Sequence, residues 1–253
     1  MNIKSKIVLA ILATSSAAFA QTAPAAPEVT YNVGVVSQYR YRGIAQTKGD
    51  PALQGGADYA NANGFYAGAW GSTIKWIKDA APATSGQAKG PVELDLYGGY
   101  KFEAAGIAYD VGYLRYQYVG NTYKDIGYVN ANTDEVYGAA TYGVTTLKYS
   151  HAVSDLFGNV NSKGSTYWDL SATFDLGNGY SFVPHAGRQV VKNSPSVSYT
   201  DIAVTLNKDL GDGLSASVAA ISTSGNKTAF TNLSSTGYNA AKSALVVGVK
   251  YSF

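Results

Sequence analysis

His151 and His185 are the two histidines of this sequence, and with them the side chains suited to moving a proton near neutral pH. Ser150 precedes His151, and a serine beside a histidine suggests acyl transfer. Neighbours in an extended strand point to opposite faces, however, so these two cannot act on each other as nucleophile and base. No serine or aspartate partner can be assigned to His185 from the sequence. No cluster of histidines and carboxylates has metal-site spacing, and cysteine is absent. The sequence therefore predicts no enzyme, no metal and no cofactor; a lipid-modifying activity built on the histidines is the least favoured reading.

The remaining charged residues recur at alternate positions. In a strand read from Val29 to Arg42, Val29, Tyr31, Val33, Val35, Tyr39 and Tyr41 share one face, while Thr30, Asn32, Gln38, Arg40 and Arg42 share the other. Further on, Asp58, Glu93, Asp95, Lys101, Asp110 and Glu135 oppose apolar residues, as do Lys148, Asp169, Asp175, Asp201 and Lys250. Such faces suit strands that separate lipid from water, because a charge at the lipid midplane costs roughly 2 to 4 kcal/mol. Arginines facing carboxylates across a lumen would sort solutes by charge, which makes Arg40 and Arg42 the first selectivity candidates. The competing reading of each charge is a ladder of ion pairs that fills a narrow lumen. Inward Tyr97, Tyr137 and Tyr167 are read as packing, with sugar stacking as the rival, whereas Tyr31, Tyr39, Tyr41, Tyr59, Tyr100, Tyr113, Tyr142, Trp168 and Tyr251 are read as interfacial girdles.

The elements that would carry these faces are strands. Alternation returns in segments 53–59, 92–103, 109–114, 135–142, 146–150, 167–176, 201–207 and 243–253. Segment 65–76 has aromatics on both faces, which leaves its orientation open. Segment 180–190 contains Pro184, which removes one ladder bond and makes it the weakest strand. Short turns near Asn63, Ala105, Gly143, Asn178 and Asp212 alternate with longer connections at 43–51, 79–91, 120–133, 153–164, 192–198 and 223–242. One of the loops 79–91 and 223–242 is expected to fold inward and narrow the pore. The count is about twelve antiparallel strands in an all-β, up-and-down transmembrane barrel.

Ahead of the barrel, Lys4 and Lys6 precede the apolar run Ile7 to Ala13, and Ala18-Phe19-Ala20 offers a cleavage site. Residues 1–20 are thus expected to be a signal peptide, 21–28 a tether with Pro24 and Pro27, and 29–253 the barrel. Without the two leader lysines the basic residues equal the 17 acidic ones, which argues against a nucleic-acid partner.

Two resemblances add to this reading. Val249, Tyr251 and the terminal Phe253, with apolar residues alternating behind them, resemble the assembly signal of bacterial outer-membrane barrels. The run Tyr39-Arg40-Tyr41-Arg42-Gly43-Ile44-Ala45-Gln46-Thr47, then Pro51 to Tyr59 and Gly64 to Ser72, is similar to the opening of the TorF-like family of proteobacterial porins. Residues 93–100, 109–113, 199–201 and 207–210 continue the likeness, which implies fold and location rather than a solute. The expected protein is an outer-membrane channel for passive diffusion of small hydrophilic solutes. Its expected partners are outer-membrane lipid, lipopolysaccharide and the barrel-assembly machinery; the alternative is a structural or adhesion barrel with a plugged lumen.

Overall fold

The computed structural model describes residues 27–253, so the expected signal peptide and most of the tether lie outside the described residues. From Glu28 onward, period-two alternation becomes strand after strand: β1 (Glu28–Val36), a short pair β2 (Arg40–Tyr41) and β3 (Ile44–Ala45), then β4 (Ala52–Ala60), β5 (Phe65–Thr73), β6 (Val92–Ala104) and β7 (Ile107–Val119). The second half adds β8 (Thr133–Tyr142), β9 (Thr145–Ala152), β10 (Thr166–Ala172), β11 (Phe174–Gly177), β12 (Tyr180–Val190), β13 (Tyr199–Gly211), β14 (Leu214–Thr223) and β15 (Ala244–Ser252).

All except β2 and β3 join one antiparallel sheet, in which each wall strand pairs with its sequence neighbour. The ring closes where β1 pairs with β15, from Asn32 opposite Ser252 to Val36 opposite Gly248. β10 and β11 are one stave interrupted at Thr173, because both pair with β12. The result is a closed barrel of 12 staves, which leaves no sheet edge exposed. No helix among the described residues is long and apolar enough to cross a membrane, but a barrel crosses with strands.

Pro184 explains the interrupted stave. The β10–β12 ladder runs to Ser171 opposite His185 and resumes at Phe174 opposite Phe182, so it lapses where a proline has no N–H to donate. Thr173 N instead donates to Val144 O at 2.9 Å in the adjoining turn.

The outer surface is apolar around the ring, with Val33, Leu53, Leu96, Val136, Leu170, Val204 and Val247 among many large side chains left exposed. β5, ambiguous in sequence, turns Phe65 outward and Tyr66, Trp70 and Ser72 inward. Seven of the nine expected girdle aromatics face outward, whereas Tyr39 and Tyr41 do not. The terminal segment adds to this surface: Phe253 exchanges backbone bonds with Tyr31 at 2.8 and 2.9 Å and stacks on it at 5.7 Å.

The first strand is shorter than its alternation suggests. β1 ends at Val36, and residues 37–51 leave the wall. The inward element is thus the first connection and not 79–91 or 223–242. Those two loops instead meet over the outer end: Ala80 bridges Ser234, and Ala81 N donates to Leu233 O at 2.9 Å.

An apolar outer band predicts a depth-dependent cost. Val247→Arg, midway along β15, should destabilise the bilayer-reconstituted barrel by about 2–4 kcal/mol in denaturant titration, and Val29→Arg near the turn end by about 0–1 kcal/mol. Equal costs at the two positions would contradict a membrane-spanning band.

Candidate functional site: an inward hairpin over a charged lumen

β2 and β3 form a two-residue hairpin in which Arg40 pairs with Ala45 and Tyr41 with Ile44. The central residues are Arg42 at φ +46° and Gly43 at φ +79°, the left-handed pair of a type I′ turn. Gly43 suits that position, and a Cβ there would also press on Thr223 and Asp201, so the turn is seated against the wall. Arg42 tolerates a backbone region that L residues normally avoid, which points to a side chain held strongly elsewhere.

It is held across the lumen. Arg42 Nη2 and Nη1 donate to Glu135 Oε2 at 2.7 Å and Oε1 at 3.0 Å, and Nη1 also donates to Gln189 Oε1 at 2.8 Å. Its guanidinium lies 4.2 Å from the Tyr167 ring centre and 4.8 Å from that of Tyr41. Both members of the ion pair are almost fully buried, at 1% and 3% side-chain exposure. The bidentate fork and the two rings replace the water lost by the guanidinium, except at Nε, which has no hydrogen-bond partner.

The rest of the hairpin is anchored as tightly. Arg40, also buried, uses Nη1 to donate to the carbonyls of Gly43, Ala240 and Lys242, and Nε to donate to Gln38. Tyr39 Oη donates to Glu93 Oε1 at 2.7 Å, and the Tyr41 and Tyr116 hydroxyls share a hydrogen bond. Tyr39 N donates to Thr47 Oγ1, and Ala45 N donates to Ala240 O. Where the chain returns to β4, Lys75 donates to Asp50 at 2.6 Å, and this bond holds the Asp50 carboxyl below the usual carboxylate range. Both partners are half exposed, so that tie is weak.

Deeper in the barrel the remaining sequence candidates line the lumen. Asp58 accepts from Tyr97, and Asp110 accepts from Tyr66 at 2.6 Å. Lys101 lies over the Tyr66 ring at 5.0 Å and Lys148 over the Tyr137 ring at 3.9 Å. Asp95 is inward on β6 with Oδ1 buried and unbonded, and Lys250 is inward on β15. Tyr97, Tyr66 and Tyr137 each lie against a glycine directly opposite, respectively Gly68, Gly99 and Gly112. A Cβ at any of the three would collide with the tyrosine, so these rings are packed on the wall.

His185 is not the isolated histidine that the sequence suggests. Its Nε2 lies 3.1 Å from Asp169 Oδ2 and 3.2 Å from the Tyr167 hydroxyl, and its Nδ1 lies 3.5 Å from Asp201 Oδ2. The register explains the miss: both Asp169 and Asp201 sit opposite Gly187, two residues along from His185, on the two strands that flank β12. Ser150 is buried inside whereas His151 is on the other face beside Tyr149. Among the described residues no group of ligands could hold a metal ion.

Residues 20–253 match the family described as a bacterial protein of unknown function (Gcw_chp), and the chain belongs to that family. The TorF-like family suggested by the opening motif is not the description this match carries. No protein of the curated set matches the sequence. Among solved structures, the chain is similar to the KdgM porin in complex with disordered oligogalacturonate at TM-score 0.54 and 10% identity, covering 89% of this chain and 98% of that one. It is also similar to the NanC porin, at TM-score 0.53 and 11% identity over 88% and 99% of the two chains. A third is the COG4313 outer membrane channel from Pseudomonas putida F1, at TM-score 0.52 and 11% identity over 92% and 97%. Sequence identities this low speak for the porin-like fold.

Removing one partner of a buried pair costs about 3–5 kcal/mol, so Glu135→Ala should release the hairpin tip. Limited trypsin digestion of the reconstituted protein should yield a peptide ending at Arg42 from this variant and none from the parent. Equal resistance would show that the pair does not hold the hairpin.

Proposed function

We propose that this member of the family is an outer-membrane channel through which small hydrophilic solutes diffuse, with the inward hairpin as its constriction. The observation that carries this reading is the lumen itself: a closed barrel, apolar outside, whose inner wall bears Asp58, Lys101, Asp110, Lys148, Asp169 and Asp201. A protein that needed only a filled core would satisfy its packing with apolar side chains, which avoid desolvating charge. Asp58 and Lys101 keep partial solvent contact, whereas Asp110, Lys148, Asp169 and Asp201 are buried against their neighbours, so in this account Asp58 and Lys101 are the charges nearest the path.

Arg40 and Arg42 set the width of the constriction in this account, because both are buried and most of their donors are committed to carbonyls, Gln38, Glu135 and Gln189. Charge sorting falls to the residues below the hairpin. The lipid-facing surface meets outer-membrane lipid and lipopolysaccharide, and outward Val249, Tyr251 and Phe253 serve recognition by the barrel-assembly machinery.

The same hairpin favours a second reading, a barrel plugged by its own first connection. Single-channel recording in planar bilayers separates the two. The channel reading predicts small discrete steps from the parent and steps several-fold larger when residues 38–47 are replaced by a short Gly-Ser linker. A silent parent with a conducting linker variant would establish a plug, and silence from both would end the channel reading.

A further inference from the structure

Above the hairpin, on the side away from the charged lumen, the loops enclose a cavity of about 310 Å³. Its wall is aromatic: Tyr41, Trp76, Tyr118, Tyr123, Phe157 and Phe230 contribute rings from the hairpin and four other segments. Several rings meet edge to face, with Trp76 centred 5.1 Å from Tyr118 and 5.3 Å from Tyr123, and Tyr41 5.6 Å from Phe157. Exposed Val160 and Leu233 stand at the mouth. The volume is at the lower end of the roughly 300–1,000 Å³ typical of ligand pockets.

Most polar side chains of the wall are already bonded within the protein, and Trp76 Nε1 and Tyr238 Oη are buried atoms of the wall without a hydrogen-bond partner. Gln189 accepts from Arg42 and donates to Thr166 O; Gln46 donates to Ile44 O; Asn159 donates to Leu156 O; Ser234 shares a bond with Thr236. A sugar, which must replace many lost hydrogen bonds to water, would find few free partners here. Lys48 and Asp79 contribute one charge of each sign, so the site has no net charge with which to hold an ion. Ring faces and edges are what the wall offers, and these suit another ring.

We infer that this outer cavity binds a small uncharged aromatic molecule of one or two rings. The site goes beyond the channel reading and does not need it, since its wall is formed by the hairpin and the outer loops whether or not the lumen conducts. Binding there would place such a molecule directly on the outer surface of the constriction, against Tyr41 and Gln46.

The test uses Trp76 as the reporter in a Trp70→Phe, Trp168→Phe background, reconstituted in nanodiscs so that no detergent competes. Nitroaromatic probes quench tryptophan on contact. Neutral 4-nitrobenzyl alcohol should quench saturably, 4-nitrobenzoate at the same pH should bind about tenfold or more weakly because its charge must be desolvated, and glucose should not displace the alcohol. Val160→Phe and Leu233→Phe, both at exposed positions, fill the mouth, and together they should weaken the alcohol about tenfold. Quenching that never saturates, or that is indifferent to the mouth substitutions, would overturn the site, and displacement by glucose would overturn the ligand class. Conductance is recorded separately in planar bilayers, so a barrel that is silent there but quenches saturably here would sink the channel reading and leave the cavity standing.

Discussion

The ion pair between Arg42 and Glu135 is the constraint on which the interior depends. It sits at the tip of a hairpin that left the wall after Val36, and it joins that tip to β8 while Gln189 extends the bond to β12. A charge this deeply buried is tolerable only when paired and hydrogen-bonded. The pair therefore determines where the hairpin ends, and the hairpin determines what space is left on either side of it. The same logic explains the backbone of Arg42, whose left-handed φ would be unfavourable without so strong a side-chain anchor.

The hairpin divides the barrel into two environments. Toward the short turns the wall carries carboxylates, lysines and tyrosines that bond across strands, with rings flattened over glycines. Toward the long loops it is aromatic, and most of its few polar groups are bonded to the protein itself. Tyr39, Tyr41 and Tyr116 form the boundary between these regions, with hydroxyls reaching charged partners or each other and rings packed on Trp70 and Phe157.

The barrel was legible in the sequence because its strands obey a simple rule: lipid outside and polar groups inside impose period-two alternation over most of the wall. The closing pair of first and last strands, the turn positions and the inward charges follow from that rule. The hairpin was not legible, since Tyr39 and Tyr41 continue the alternation of Val29 to Val35 in perfect phase after the chain has left the sheet. The available signal was Arg42-Gly43, a pair whose glycine favours a tight turn. Asp169 and Asp201 are inward by their alternation, but their meeting at His185 is not legible: Asp201 depends on register across the 191–198 loop, and Asp169 on a stave whose register shifts between Asp175 and Gly177, so counting back from the Asn178 turn fails.

A double-mutant cycle tests most directly whether the buried pair governs this interior. Arg42→Met and Glu135→Leu, singly and together, would be compared by denaturant unfolding of the bilayer-reconstituted barrel. Each single change should cost about 3–5 kcal/mol by stranding a buried charge, and the double variant should recover most of that loss because neither charge remains. Additive losses would contradict the account, since they would mean that the two residues contribute independently and that the hairpin is held by something else.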